Sequence, residues 1–241
     1  MTLETGRWAM AGIGVLLWDF DGTLGERPGM WSGALLQALD GAAVGHGLER
    51  SDIAGQLSAG FPWHEHEVGH PHLNSPDLWW AHLAAVLSAA LERLGVPSNT
   101  ARLAAGAVRE IYPDPGCWRL FDDTLPVLTA LSEQGWDHIL VSNHVPELDG
   151  LLAALGLRAR FSAVVNSAVT GYEKPHPEAF RLALAAARWP RRVWMIGDSL
   201  TADVQGAQAG GIPAIHVRTA GSVAERQTGD LYGVATIVAE P

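Results

Sequence analysis

The chain has 241 residues, of which 48% are hydrophobic and 17% are charged, a balance typical of a folded globular protein. Its formal net charge of −10 offers no basic surface for phosphates, so we expect neither a nucleic-acid partner nor a membrane partner. The single cysteine, Cys117, excludes an intrachain disulfide and a cysteine-based zinc site, and the first residues do not resemble a signal peptide, so a cytoplasmic location is expected.

Short apolar runs that alternate with helical patterns predict a parallel sheet. The first run, residues 13–18, has the continuous apolar character of a strand that is buried on both faces. Four further strands are predicted at 138–141, 163–165, 193–196 and 214–217, with helices between them at 147–155, 177–187 and 201–209. The predicted fold class is therefore α/β, a doubly wound, Rossmann-like core. The tail after Arg218 is left open between a final strand around 233–238 and a loosely packed segment.

Residues 25–116 interrupt this alternation with helical patterns alone. Helices are predicted at 31–39, 51–57, 76–94 and 98–111, and the turn-rich stretches 25–29 and 112–116 mark the two ends. Such a length is too great for a loop. We therefore predict an α/β core domain formed by 1–24 and 117–241, with an inserted all-helical subdomain at 25–116.

Polar side chains follow the predicted strands at the edge where an open α/β sheet binds its ligands. Carboxylates that converge at one point repel each other unless a cation lies between them, and all-oxygen ligation suits Mg²⁺. The sequence therefore predicts a magnesium site there. The residues concerned are Asp19, Asp21, Ser142, Asn143, Lys174, Asp198 and Asp203.

These residue types are the ones that phosphoryl transfer needs. A carboxylate can act as the nucleophile and form an aspartyl-phosphate that water later hydrolyses. A second carboxyl group two residues along the chain can protonate the leaving oxygen and then deprotonate that water. Lys174 would hold the negative charges of nucleophile and phosphate together, while Ser142 and Asn143 would donate hydrogen bonds to phosphoryl oxygens.

Four motifs in this order resemble those of the haloacid dehalogenase superfamily. They are WDFDGTL at 18–24, VSN at 141–143, KP at 174–175, and GDS at 197–199 followed by an aspartate at 203. The resemblance implies that Asp19 is the nucleophile, that Asp21 is the acid/base, and that Lys174 belongs to the catalytic set. It also implies that magnesium is held by Asp19, Asp198 and the main-chain carbonyl of Asp21.

The resemblance extends beyond these residues. Asp203 and Thr23 are expected to lie behind the metal ligands, and the helical insertion resembles the family's type 1 cap. Ala202 departs from the family pattern, since many relatives carry Asn before the last aspartate. The implied activity is hydrolysis of a small phosphorylated metabolite.

Two other functions remain as alternatives. A 2-haloacid dehalogenase is disfavoured by Asp21, because the dehalogenases lack an acidic residue there and halide leaves without a proton. A non-catalytic protein that binds a phosphorylated ligand or a partner would have no need of an acid/base, so the intact set of Asp19, Asp21, Lys174 and Asp198 argues against it.

Two short motifs point to chemistries that their surroundings exclude. The sequence HEVGH at 66–70 fits the zinc-protease pattern, but Gly69 and Pro71 argue against the continuous helix that this pattern requires. The sequence GDSL at 197–200 matches a serine esterase signature, but the Asp-x-x-His that should follow is absent, since Pro213 stands three residues before His216.

A cluster of histidines in the predicted cap has three interpretations. It forms a solvated loop, or it recognises substrate through the members that face the site, of which His64 and His66 are the candidates, or it binds metal adventitiously. The cluster comprises His64, His66, His70, His72 and His82.

Overall fold

Seven strands occur in the computed structural model of the chain, which describes residues 13–239. Five of them form one parallel sheet, and the other two form a short antiparallel ribbon. The strands are β1 (Gly14–Trp18), β2 (Gly25–Glu26), β3 (Arg119–Leu120), β4 (Trp136–Ser142), β5 (Ala163–Asn166), β6 (Val193–Gly197) and β7 (Ala214–His216).

The parallel sheet has the order β5-β4-β1-β6-β7, which confirms the predicted doubly wound topology and all five predicted strands. The central strand β1 pairs with β4 on one side and β6 on the other, with Trp18 opposite Leu140 and Ile196. Because these three strands are parallel and in register, the loops that leave their carboxyl ends lie side by side.

Ten α-helices accompany the sheet in the described part of the chain. A π-helix at Leu200–Gln205 directly precedes the ninth of them. The helices are α1 (Met30–Ala42), α2 (Arg50–Ala54), α3 (Pro76–Arg93), α4 (Ser98–Ile111), α5 (Thr124–Glu133), α6 (Leu148–Ala154), α7 (Ser167–Thr170), α8 (Pro177–Ala186), α9 (Gly206–Ala209) and α10 (Tyr232–Val238).

Alternate side chains of β1 point to opposite faces of the sheet and enter two separate cores. Leu16 and Trp18 belong to a core that also contains residues of α5, α6 and α10. Val15 and Leu17 belong to a second core that contains residues of α8 and α9. Every residue of β1 is buried, as expected for a strand that is covered by helices on both sides.

Helices α1 to α4 form the helical subdomain that the sequence predicts. α4 packs against α1 and α3, and α2 packs against α1. Ser75 begins α3 by accepting a hydrogen bond from the backbone N–H of Leu78. The ribbon of β2 and β3 brings the two connections to the core together, with Gly25 paired to Leu120. The assignment of 25–116 to the cap stays a prediction, and the ribbon lies across its two ends.

The tail after Arg218 differs from both of its predicted forms. Residues 232–238 form helix α10 and not a strand, and Val234 and Val238 are fully buried in the core that contains Trp18. Buried residues four apart lie on one face of a helix, and this spacing is the physical reason for the observed structure. Asp123 fixes the start of this segment, since its carboxylate accepts a hydrogen bond from the N–H of Leu231.

Within residues 13–239, no helix combines the length and the apolar character that crossing a membrane requires.

Candidate active site

The predicted site residues meet at the carboxyl edge of the sheet. Asp19 follows β1, Ser142 ends β4, and Asp198 follows β6. A cavity of about 280 Å³ lies above this edge, and side chains of the cap close its other side. The cavity is lined by Asp19, Asp21, Met30, Trp31, Trp63, Asn143, Lys174, Asp198, Ser199, Ala202 and Asp203.

Asp19 is buried, and two donors hold one of its carboxylate oxygens. The hydroxyl of Ser142 donates to Oδ1 over 2.9 Å, and Nζ of Lys174 donates to the same oxygen over 2.8 Å. The other oxygen, Oδ2, has no hydrogen-bond partner among the described residues. A carboxylate that is fixed through one oxygen presents the second as a nucleophile.

Lys174 lies between two carboxylates and is itself almost completely buried. Its Nζ is 2.8 Å from Asp19 Oδ1 and 2.5 Å from Asp203 Oδ1. Burial alone would lower the pKa of Lys174, but the charges of Asp19 and Asp203 raise this pKa well above its ordinary value. The ammonium group is therefore charged at any pH near neutrality.

Asp203 has a more direct role than the sequence suggests. Besides its ion pair with Lys174, its Oδ2 accepts a hydrogen bond of 3.0 Å from the N–H of Ser199. Gly197 makes room for it, since a side chain at that position would collide with the Asp203 carboxylate. Asp203 is thus the fixed counter-ion that orients Lys174 towards Asp19.

Three carboxylates form a group with the character of a cation site. Oxygens of Asp19, Asp198 and Asp203 all lie within 4.8 Å of one another. Burial and the neighbouring charge of Asp19 raise the pKa of Asp198 to about 6. Burial and the charges of Asp19 and Asp198 also raise the pKa of Asp21 well above its ordinary value. The crowded negative charge and the all-oxygen donor set fit Mg²⁺.

Thr23 and Gly22 shape the loop that faces Asp198. Thr23 Oγ1 donates to Asp198 Oδ1 over 3.2 Å and accepts from the Asp198 N–H over 3.0 Å, so Thr23 supports this carboxylate from behind. Gly22 has a φ of +78°, and a Cβ atom there would collide with the Asp198 carboxylate. Only glycine meets both conditions without strain.

Asn143 lies in the site, but its amide is engaged with the protein itself. Its side-chain nitrogen donates to the carbonyl of Lys174 over 2.8 Å, and its oxygen accepts from the Lys174 N–H over 2.7 Å. This pair of bonds fixes the loop that carries Lys174. The contact of Asn143 with phosphate stays a prediction, as does that of Ser142.

His144 is a site residue that the sequence analysis does not single out. Its imidazole is completely buried, and its Nε2 lies 3.4 Å from Asp21 Oδ1. The available signal was its position, since it directly follows Ser142 and Asn143 at the end of β4. The packing that turns it towards Asp21 is long-range and is not visible in the sequence.

The histidines of the cap segment lie in different environments. Short 3₁₀ helices occupy Pro62–Glu65 and Pro71–Leu73, so no helix runs through 66–70 and the zinc-protease pattern is excluded. His64 and His66 line a second cavity of about 420 Å³, which shares Trp63, Asn143 and Lys174 with the first. His64 and His66 therefore lie beside the site, although His64 is exposed, and His72 is exposed and lines neither cavity.

The remaining histidines of the cluster serve the protein's own structure. His70 is buried, and its Nδ1 lies 2.9 Å from Glu173 Oε2. His82 bonds the carbonyl of Gly60 through its Nε2. In the described part of the chain, the group of side chains suited to a metal ion is the acidic one and includes none of these histidines, so adventitious metal binding finds no support.

Comparisons with known proteins find a matching family and curated relatives. A family model described as a haloacid dehalogenase-like hydrolase matches residues 13–211. Human haloacid dehalogenase-like hydrolase domain-containing protein 3 is 30% identical over 211 residues, which cover 83% of this chain and 80% of that protein. The phosphoserine phosphatase of Thermus thermophilus is 33% identical over 175 residues, which cover 65% of this chain and 68% of that protein.

Solved structures extend the likeness to the fold. The structure of the HAD-hydrolase YfnB from Bacillus subtilis, bound to magnesium, superposes with a TM-score of 0.70 at 22% identity and covers 94% of this chain and 98% of that chain. This level of identity supports the shared architecture of core and helices.

Proposed function

The chain belongs to the haloacid dehalogenase-like hydrolase family, and we propose that it is a magnesium-dependent phosphatase. It would act on a small phosphomonoester through an aspartyl-phosphate intermediate. One observation carries the proposal. Asp19 has one oxygen held by Lys174 and Ser142 and the other free, while Asp21 stands two residues away with a raised pKa. A binding protein needs no such acid.

The first half-reaction transfers the phosphoryl group to the protein. Oδ2 of Asp19 attacks phosphorus, and the bond from phosphorus to the ester oxygen breaks. Burial and the neighbouring carboxylates raise the pKa of Asp21, which favours its protonated form, and Asp21 gives this proton to the departing alcohol oxygen. Lys174 stays charged and offsets the negative charge that gathers between Asp19 and the phosphoryl oxygens.

The second half-reaction restores the enzyme. Asp21, now a carboxylate, takes a proton from a water molecule whose oxygen attacks phosphorus, and the bond to Asp19 breaks. Inorganic phosphate leaves, Asp19 is again a carboxylate, and Asp21 is again protonated. Magnesium held by Asp19, Asp198 and the main-chain carbonyl of Asp21 would supply a positive charge next to the phosphoryl oxygens.

The substrate is proposed to be a small phosphorylated metabolite. A cavity of about 280 Å³ leaves room for phosphate and a small leaving group, and the cap closes over it. A relative at 33% identity is named for phosphoserine, which is a compound of this size. Trp63, His64 and His66 lie where the leaving group would extend, which supports their role in recognising it.

The test is hydrolysis of an aryl phosphate and of a panel of small alkyl phosphates with Mg²⁺ and with EDTA. Turnover should disappear with EDTA, and Asp19→Asn should lower it by roughly 10³-fold or more, because the nucleophile is lost in an isosteric change. Asp40→Asn is the matched control, since this carboxylate is 64% exposed and does not line the cavity. A wild-type protein that hydrolyses none of the panel contradicts the proposal. Metal-independent halide release from a 2-chloro acid would favour the dehalogenase alternative instead.

A further inference from the structure

We propose that His144 is a positioning residue, which holds the carboxyl group of Asp21 in the orientation that proton transfer to the leaving group requires. The inference rests on the proposed function, since it assigns a task to a second residue at the same acid/base. It starts from a pair of buried polar groups. Asp21 Oδ1 and both ring nitrogens of His144 are enclosed by protein and have no hydrogen-bond partner in the described structure, so the two groups are close but not yet aligned as a bond.

The carboxyl group of Asp21 and the imidazole of His144 lie close to each other. Nε2 of His144 lies 3.4 Å from Asp21 Oδ1, at the long end of hydrogen-bonding distance. Hydrogen bonds at catalytic groups are often long in the absence of substrate and shorten when it binds. A buried polar group without a partner destabilises the folded state, so a hydrogen bond between Asp21 and His144 is favoured.

An aromatic cage sets the direction of the imidazole. Its centroid lies 5.7 Å from that of Phe20, 5.9 Å from that of Tyr112 and 5.3 Å from that of Trp118. The indole N–H of Trp118 already donates to the Tyr112 carbonyl over 2.8 Å. Aromatic rings therefore surround the imidazole, and the polar groups near it are the carboxyl group of Asp21 and the main chain of Val145.

Burial favours a neutral imidazole at His144 and outweighs the neighbouring charge of Asp19, which favours the protonated ring. Burial lowers the pKa of His144 to about 4, so the ring carries no charge near neutral pH. The groups that act on the Asp21 carboxyl are Asp19, Asp198 and Lys174. A neutral Nε2–H that donates to Oδ1 leaves this balance unchanged and fixes the rotation of the carboxyl group.

The consequence for catalysis concerns the second oxygen of Asp21. The side chain is 20% exposed and lines the cavity, and Oδ2 is not among its enclosed atoms. With Oδ1 held by His144, Oδ2 is the oxygen that carries the proton towards the ester oxygen. This division of the two oxygens makes His144 matter most when the leaving group needs a proton.

The leaving-group dependence of the rate tests this assignment. His144→Phe fills the cage but cannot donate, whereas His144→Gln retains an N–H at a similar reach. We measure kcat/KM for 4-nitrophenyl phosphate, whose leaving group needs little protonation, and for the alkyl phosphate that the wild type hydrolyses fastest. This parameter reports the steps up to release of the alcohol.

The expected result is a selective loss. His144→Phe should lose about 10–100-fold on the alkyl ester, within the range of general acid catalysis, and no more than about 3-fold on the aryl ester. His144→Gln should recover most of the loss on the alkyl ester. Equal losses on both esters, or a Gln variant no better than Phe, would mean that His144 only supports the fold and would overturn the inference.

A spectroscopic measurement decides the contact without turnover. Long-range ¹H–¹⁵N spectra should show the ring of His144 as a neutral imidazole protonated at Nε2, with this resonance shifted by Asp21→Ala. The signal is assigned by its absence from His144→Gln. A ring that is protonated at Nδ1, or one that does not respond to Asp21→Ala, contradicts the inference. If the wild type hydrolyses no phosphoester, the proposed function fails, and this spectrum separates that failure from failure of the contact.

Discussion

His138 in β4 is a buried histidine outside the active site, and its hydrogen bonds determine its charge state. The indole N–H of Trp18 donates to its Nδ1 over 2.9 Å, and its Nε2 lies 3.0 Å from the hydroxyl of Ser132, which itself donates to the carbonyl of Leu128. Because an indole nitrogen can only donate, Nδ1 must be an acceptor and the ring must be neutral.

This network predicts a pH-dependent loss of stability. Burial lowers the pKa of His138 from 6.5 to about 4, so the unfolded chain binds the proton more readily than the folded protein. The stabilisation is complete above pH 6.5 and is lost as the pH falls towards 4, to the extent of about 2–3 kcal/mol at pH 4.5. Urea unfolding at pH 7.5 and 4.5 measures it.

The matched variant is His138→Gln, which cannot titrate. Its free energy of unfolding should fall less than that of the wild type between these two pH values. Acidic groups and the other histidines are common to both proteins, so their contributions cancel in the comparison. An identical pH dependence in the two proteins would show that His138 does not carry the effect.

At the scale of the elements, continuous apolar runs made the sheet predictable. Each predicted strand lies at the observed position because a strand buried on both faces needs an unbroken apolar stretch, and the residues at its end must then lie at the ligand-binding edge. This local logic located Asp19, Asp198 and their neighbours. Helix α5 is not among the predicted helices. It contains Pro126, and the first turn of a helix tolerates proline because an N–H there would have no partner within the helix.

Contacts between distant elements were not predictable from the sequence. His144 meets Asp21 only because the aromatic cage combines core and cap residues. The predicted helix at 201–209 begins in the structure as a π-helix, in which Asp203 is turned towards Lys174. The contact between His70 and Glu173 joins residues 103 positions apart in the chain. Such contacts depend on how separate elements pack together, including the packing of the cap on the core, and a periodicity along one chain segment carries no information on that packing.

The histidine-rich segment docks on the loop that precedes Lys174. The N–H of His70 donates to the Gly171 carbonyl over 2.6 Å, and the His70 ring bonds Glu173, which is 2% exposed. Gly69 lies directly against the ring of Tyr172. The same segment carries Trp63, which lines both cavities. The docking of His70 therefore places Trp63, His64 and His66, the proposed recognition residues, next to Lys174, the proposed catalytic lysine.

Removing the contact between His70 and Glu173 should weaken substrate binding more than it slows the catalytic step. In His70→Ala, Glu173 loses its partner while buried, which should cost about 2 kcal/mol of stability. The loosened segment should raise KM several-fold with a smaller effect on kcat. Steady-state kinetics and thermal unfolding measure the two effects. The control is His72→Ala, an exposed histidine of the same segment, which should change neither. An unchanged KM in His70→Ala would show that the segment does not need this contact.

At the scale of the whole molecule, core and cap enclose a cluster of carboxylates that the protein alone does not neutralise. Lys174 is the buried cation that contacts Asp19 and Asp203, and Asp198 has no cationic partner among the described residues. Burial raises the pKa of Asp198 to about 6, and the negative charge of Asp19 contributes to this rise. The folded state without metal is therefore strained by the same charges that would bind magnesium.

This conflict predicts that Mg²⁺ narrows the difference in stability between the wild type and Asp198→Asn at pH 8. Without metal, the variant should be the more stable protein by an amount on the order of 2 kcal/mol, because a group whose pKa is raised in the folded state destabilises it once ionised. With Mg²⁺ at about ten times its Kd, the wild type should gain ~1.4 kcal/mol, which corresponds to a rise in Tm of roughly 3–6 °C for a protein of this size. The variant should gain less than half of this.

Two features make the comparison a controlled one. Asparagine still accepts the hydrogen bond from Thr23, so packing is preserved, and Asp40→Asn should behave as the wild type in both conditions. Thermal unfolding in EDTA and in Mg²⁺ decides the matter, since an equal response of the wild type and Asp198→Asn to Mg²⁺ would place the metal elsewhere.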